Sequence, residues 1–388
     1  MAQTQFRSDD TDPWGYKYGA GSDGAYAPST GTDTVIDSAC SGTSGTTSLT
    51  ATNAGFAAGQ LILIFQTQGT GVGNWELNKI SSYVAGTITT TKVLKNTYST
   101  GAQVLVMPQY SSGSIAGGVT ITGKAWNGTV GGIYAKFCTG TFTIAGNLVG
   151  TGVGFRGGNG TTSASTNGNY GESWTSVQGN SGNVNSLATG GGGGRRNDPN
   201  NDNSSGGGGG GLSTAGGTGT RPGDLAATGG AGGGTNGNPT GVFIIFGGGG
   251  GGAGGASTQP TNPGGNGGAS GGWVFIIAPI INISGSIPCN GQVGYNGNSL
   301  GGVITNGGGG GSAGNILLKG QVITLGTGLV TATGAAGGGG NGGSGGLGGN
   351  GYIHADYSTS ISGTTSPTID SRQDLTLASA AGFFPFFM

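Results

Sequence analysis

An all-β protein is expected: an N-terminal β-rich domain followed by stacked β-repeats interleaved with polyglycine-II helices. Three observations predict it. Short runs rich in Val, Ile, Thr and Tyr, separated by turn residues, fill the first third of the chain. A phrase of two strand-like runs recurs after residue 117. Finally, 98 of 388 residues are Gly, about a quarter of the chain against roughly 7% in ordinary proteins, and most gather into blocks. Helical i, i+3, i+4 periodicity is hard to find anywhere.

Residues 1–32 read as an arm with aromatic anchors: Asp9, Asp10, Asp12, Trp14, Tyr16, Tyr18 and Asp23 stand among Gly and Ser. Residues 33–122 read as the β-rich domain. Its candidate strands are Leu61–Gln66, Trp75–Val84, Thr87–Thr91 and Gln103–Met107, with a hairpin turn at Ala85-Gly86. Residues 123–357 form the Gly-rich repeat region. Gly131–Phe137 leads to Thr141–Leu148, Gly271–Ile277 to Ile281–Ile287, and Ala313–Lys319 to Val322–Leu325; Gly349–Tyr357 opens a fourth, degenerate copy. One such unit cannot bury its apolar face, but neighbouring units can do so together. Residues 358–388 are a tail ending in Phe383, Phe384, Phe386 and Phe387.

The main Gly blocks are 190–194, 206–211, 247–255, 307–311 and 337–349. Ordering Gly costs more backbone entropy than ordering any other residue, so loose loops are one reading. The other is parallel polyglycine-II helices with three residues per turn. Lacking side chains, these pack side by side, and their N–H and C=O groups bond to neighbours. Five similar blocks, each beside a strand unit, favour the second reading.

Composition also excludes. Charged residues are 7% and net charge is −1, which leaves no basic footprint for nucleic acid. Coiled-coil composition is absent, and Gly in solid blocks with only 12 Pro is not collagen. Acid–base chemistry draws on residues that are scarce here, so no enzyme is expected. His354 and Asp356, at i and i+2 on one strand face, lack an identifiable nucleophile and read as structural. Glu76 and Glu172 are the only glutamates; a glycosidase pair with an aspartate is a weak third reading. The acidic arm could supply oxygen ligands to Ca²⁺ but lacks the spacing of an EF-hand loop, so neither metal nor cofactor is expected. Three Cys without a CxxC pair suggest neither a disulfide framework nor zinc. The polar N-terminus is not a Sec signal, and Trp273–Ile283, interrupted by Pro279, is too short to span a membrane.

The alternation of Gly blocks with unrelated connecting segments over about residues 190–350 resembles the polyglycine-sandwich adhesins of T-even-like phage long tail fibres. That resemblance implies host outer-membrane binding through loops between Gly helices. Gly59–Gly71, Gly73–Asn78, Pro108-Gln109-Tyr110 and Ala125–Thr129 with Gly131-Gly132 look like a phrase of large Gly-rich bacterial surface proteins, including some associated with gliding motility. Without a signal peptide, and ending early relative to those proteins, the chain leans toward a virion part.

The expected function is therefore structural and adhesive: a phage tail-fibre or tail-tip adhesin in the virion. The alternative is a self-assembling bacterial extracellular filament or surface-matrix subunit. Host contact, with a cell-surface protein or glycan, is expected in loops 195–204, 235–246 and 256–263. The residues there are Arg195, Arg196, Asp198, Asn200, Asp202, Phe243, Phe246, Pro260 and Asn262. Contact with further copies or other fibre subunits is expected at Trp14, Tyr16, Phe383, Phe384, Phe386 and Phe387, since four terminal Phe are costly to leave in water. Trp14, Tyr16, Tyr18, Tyr170, Trp174 and Tyr295 could stack on sugars, dock on a receptor, or pack over Gly-rich surface.

Overall fold

In the computed structural model, the residues described are 18–161, 167–175, 185–194, 204–221, 229–237, 245–254, 264–297, 306–340 and 342–378. The protein is all-β: one 3₁₀ turn, Leu375–Leu377, is the only helical element among them. Two short strands, β1 (Ala25–Tyr26) and β2 (Gly31–Thr32), precede a closed antiparallel barrel. Its strands are β3 (Asp37–Gly42), β4 (Ser48–Ala51), β5 (Leu61–Gln66), β6 (Trp75–Val84), β7 (Thr87–Thr90) and β8 (Tyr98–Val106), in the order β3-β4-β7-β6-β5-β8. Ala85 and Gly86, both at positive φ (45° and 85°), make the tight β6–β7 turn. The β5 run Leu-Ile-Leu-Ile-Phe is apolar at every position because both its faces are covered. Ile62 and Ile64 fill the barrel, whereas Leu61, Leu63 and Phe65 join a second core outside it.

That second core is shared with a stack of parallel strands. The first tier is β9 (Gln109–Tyr110), β10 (Ser112–Ile115) and β11 (Thr120–Thr122), with β1 beside β10 and β2 beside β11. Next come β12 (Ile133–Cys138), β13 (Thr141–Ile144) and β14 (Asn147–Val149), then β15 (Trp273–Ile277), β16 (Ile280–Ile283) and β17 (Ile287–Pro288). The long strands β18 (Asn315–Thr331) and β19 (Tyr352–Ser366) follow, and β20 (Asp370–Gln373) closes the edge. The strands within a repeat unit do not pair with each other. Each pairs in parallel with its counterpart in the next unit, so residues align in rows. Tyr134, Val274, Ile316 and Ile353 form one buried row; Phe142, Ile281 and Ile323 form another, ending at the half-buried Ile361. The barrel ends at Val106, and residues 109–122 belong to the stack.

Between tiers the chain leaves the stack and builds a lattice from Gly. Twelve extended segments are present among the described residues: 154–161, 167–172, 189–194, 204–212, 214–220, 229–236, 247–254, 264–272, 289–297, 306–314, 332–338 and 343–350. Their bonding rotates with a period of three. In 204–212, Gly207 and Gly210 donate to Gly307 and Gly310, Gly208 and Gly211 to Gly192 and Thr189, and Gly206 and Gly209 to Thr220 and Gly217. The same segment accepts from Gly248 and Gly251, from Gly230 and Gly233, and from Gly346 and Gly349. It thus donates to three neighbours and accepts from three others. Segments 247–254 and 306–314 are surrounded in the same way. A side chain has no room there: a Cβ on Gly209 would lie 1.8 Å from the Leu347 carbonyl oxygen.

Outer segments instead read Gly-Gly-X, as in 342–350, and X faces out: Ser344 and Leu347 are exposed while Gly343, Gly346 and Gly349 are buried. The segments run alternately away from and back to the stack. Thr161, Gly194, Ser205, Thr220, Gly229, Gly254, Gly264 and Asn306 consequently gather at the far end. Segments 264–272, 306–314 and 343–350 descend directly into β15, β18 and β19.

Candidate functional site

The far end of the lattice bears on the expected host-contact loops. Gly194 with Ser204, and Gly254 with Gly264, flank residues 195–203 and 255–263 there. Arg195, Arg196, Asp198, Asn200, Asp202, Pro260 and Asn262 themselves lie outside the described residues, as do Phe243, Trp14, Tyr16, Phe383, Phe384, Phe386 and Phe387. Segment 235–246 differs. Its described ends, 235–237 and 245–246, lie at the opposite end, beside the stack, and Phe246 there is fully buried. The Phe246 ring lies 5.3 Å from Phe155, 5.8 Å from Phe65 and 6.1 Å from Trp126. Phe246 is therefore a core residue and not a host-contact residue: it ties barrel to lattice where no partner reaches.

The titratable residues assemble around buried charges, with exposed or half-buried partners such as Asp370 and Arg372 at the edge. His354 and Asp356 do share a face, with Nε2 and Oδ1 3.2 Å apart. Parallel register brings three more groups to them: Lys319 opposite Asp356 on β18, Asp370 opposite His354 and Arg372 opposite Asp356 on β20. Lys319 Nζ is 2.9 Å from Asp356 Oδ2, Arg372 Nε donates to Asp356 Oδ1 at 2.9 Å, and His354 Nδ1 is 2.8 Å from Asp370 Oδ2. Burial alone would raise the Asp356 carboxyl, but the His354 hydrogen bond and the Lys319 ammonium outweigh it and hold it at about 2. Burial pulls Lys319 down to about 8, with Asp356 opposing. The partners shift unequally because Asp356 is met by three donors, whereas one contacting carboxylate offsets the desolvation of Lys319. Ser358, two residues beyond Asp356, is separated from His354 by roughly 13 Å along the strand, so the three do not form a nucleophile–base–orienter series. The cluster fastens β20 to the stack.

Both glutamates are fastenings too. Glu172, fully buried, takes Arg156 Nε and Nη2 in a bidentate pair at 3.0 Å each and Gln68 Nε2 at 3.4 Å, joining lattice to barrel. Glu76 accepts the backbone N–H groups of Lys95 and Asn96 at 3.0 and 3.2 Å, and burial raises its pKa. Glu172 is fully buried and Glu76 nearly so. Asp23, from the acidic arm, accepts the Gln109 N–H at 2.6 Å.

Of the aromatics read as possible docking rings, Tyr18 donates its hydroxyl to the Leu377 carbonyl at 2.6 Å, and Trp174 packs against the barrel–stack core. Tyr295 stands out at 53% exposure. It borders an open groove of about 530 Å³ lined by Thr151 and residues 291–296.

No family model matches the chain, and no curated protein matches it. Among solved structures, the Gp54 tailspike of Acinetobacter baumannii bacteriophage AP22, in complex with A. baumannii capsular saccharide, aligns at 9% identity and a TM-score of 0.20. The alignment covers 88% of this chain and 61% of the tailspike chain. A likeness this low carries nothing about this chain's function.

One sequence signal would have located more of these features. Lys319, Asp370 and Arg372 escape local reading because only the strand register joins them to His354 and Asp356. The Gly-Gly-X triplets at 264–269 and 342–350 were in plain sight, and mark which Gly segments lie on the outside of the lattice. No helix among the described residues is long and apolar enough to cross a membrane.

Proposed function

We propose that the protein is a structural and adhesive fibre protein, a phage tail-fibre or tail-tip adhesin that meets its host through segments at the far end of the Gly lattice. The observation carrying this reading is the lattice itself. Its three-residue rotation of hydrogen bonds, with six neighbours around each central segment, is the bonding expected of packed polyglycine-II helices. The rows of the parallel stack likewise support a β-solenoid base. Such a frame holds its backbone rigidly and brings the roots of several connections together on one end, away from the stack. Rigid scaffolds with variable connections are suited to recognition.

The test replaces residues 195–203 and 255–263 with Gly-Ser linkers of equal length, and measures binding of labelled protein to bacterial cells. Saturable binding is expected for the native chain and is lost in the variant, whose circular dichroism stays native. Equal binding by both proteins defeats the proposal.

The Tyr18–Leu377 bond favours a second reading, the self-assembling filament subunit. It draws together the points from which the arm with Trp14 and Tyr16 and the tail with Phe383–Phe387 depart. Under that reading the native chain forms fibres in negative-stain micrographs and a chain lacking residues 383–388 does not; discrete particles from both argue against it.

A further inference from the structure

We infer that the groove beside Tyr295 is a binding site for a neutral saccharide on the flank of the lattice. The site is separate from the connections at the far end, so it stands or falls independently of loop-borne host contact. Its platform is the outer segment 289–297. On one side Gly291 and Gly294 donate to Thr333 and Ala336; on another Gln292 and Tyr295 donate to Ala269 and Asn266. Among the described residues, the third side, at Val293 and Asn296, faces solvent: both residues are exposed and neither backbone N–H is bonded within the lattice.

The Tyr295 backbone is held on both sides. Its N–H donates to Asn266 at 2.8 Å and its carbonyl accepts from Gly308 at 3.0 Å. Its ring is held as well, because Gln292 Nε2 donates to the hydroxyl at 3.1 Å. An exposed aromatic ring fixed at backbone and tip has little rotamer entropy left to lose when something stacks on it. This is the property that singles Tyr295 out from Tyr18 and Trp174, whose rings are occupied by the fold.

The chemistry around the ring narrows the ligand. The lining contributes amides (Gln292, Asn296), a hydroxyl (Thr151), one aliphatic side chain (Val293) and Gly backbone. Asn296 Oδ1 accepts the Gly339 N–H at 2.7 Å, which turns its NH₂ toward other partners. Aromatic face, amide and hydroxyl groups match the C–H faces and hydroxyls of a pyranose. Among the described residues, no carboxylate, Lys, Arg or His lines the groove. An anionic sugar or a phosphate would find no counter-charge, and no acid–base pair stands ready to cleave a glycosidic bond. The groove's volume of about 530 Å³ falls in the usual range for small-ligand sites, roughly 300–1,000 Å³. The ligand is bound and left intact.

The experiment is saturation-transfer NMR on the full chain with four neutral probes, the tetrasaccharides of glucose, mannose, galactose and N-acetylglucosamine. At least one is expected to bind saturably. Tyr295→Ala is expected to weaken that binding about tenfold or more, as loss of an aromatic contact of ~1.4 kcal/mol implies. Tyr295→Phe keeps the ring and is expected to stay within about threefold of the native affinity, since it gives up only the bond that holds the ring tip. Tyr295 is exposed, so neither variant threatens the fold; unchanged melting curves check this. Absence of binding by all four probes overturns the proposal. So does a Tyr295→Ala variant that binds as the native chain does. If that variant keeps native cell binding while losing the tetrasaccharide, the saccharide site holds and host contact lies elsewhere.

Discussion

Gly209→Ala is expected to destabilise the protein by roughly 3–5 kcal/mol, an unusually large effect for adding one methyl group. The new Cβ would sit 1.8 Å from the Leu347 carbonyl oxygen and 2.4 Å from its carbon. Neither is the end of a flexible side chain. Both belong to a backbone already bonded on several sides, so the methyl group fits only if whole segments move apart. Separation would lengthen the bonds from Gly209 to Gly217 and from Gly233 to Gly209, both 2.8 Å, and leave buried amides unpaired. Gly339→Ala is the matched control: among the described residues its Cβ would meet only Asn296 Oδ1, at 3.7 Å. It should change stability by less than about 0.5 kcal/mol. Urea midpoints of the two variants decide the matter. Equal midpoints would mean that the central segments can part freely.

Asp356→Asn should have a comparable cost, roughly 3–5 kcal/mol, because it leaves the wholly buried Lys319 ammonium without its carboxylate. Lys319→Met in the same chain should recover much of that loss, since the orphaned charge is then gone. Acid provides an independent reading of the same group. With its carboxyl held at about 2 rather than at the ordinary 3.8, Asp356 contributes stability that is fully present above pH 4. That contribution, roughly 2 kcal/mol, is lost as pH falls through about 2. The gap in urea midpoint between the native chain and Asp356→Asn should therefore narrow from pH 4 to pH 2. A gap that stays constant would show that the carboxylate is not the stabilising species.

Much of the barrel was legible in the sequence. Leu61–Gln66 and Trp75–Val84 are strands with the expected bounds, because strand-favouring composition and turn residues act locally. The repeat phrases after residue 117 do mark tiers of the stack, since each must present an apolar row to the next. Pairing partners were not legible: nothing within Gly131–Leu148 states that its strands bond to the following unit and not to each other. Phe246 misled for a related reason. An apolar run between Gly blocks reads as a loop tip or as core with equal ease, and only the direction of travel through the lattice places it against Phe65 and Trp126. The ion cluster was half visible, His354 and Asp356 being two residues apart, while its other members come from paired positions 37 residues upstream and 16 downstream. Tyr295 could be named from the sequence but not ranked, because exposure is a property of the outer segment that carries it.

The lattice joins peptide group to peptide group with almost no hydrocarbon between them, and this sets its response to temperature. Unfolding an ordinary core raises the heat capacity, at about +0.45 cal/K/mol per Å² of apolar surface exposed, whereas exposing polar surface lowers it by about 0.26. The Gly segments release chiefly amide surface. They should contribute little to the heat-capacity increment, or reduce it, and so flatten the dependence of stability on temperature. A hydrocarbon core loses cohesion on cooling as the hydrophobic effect fades. A core made of amides does not share that weakness, and particles built on it should keep their shape from cold water to warm.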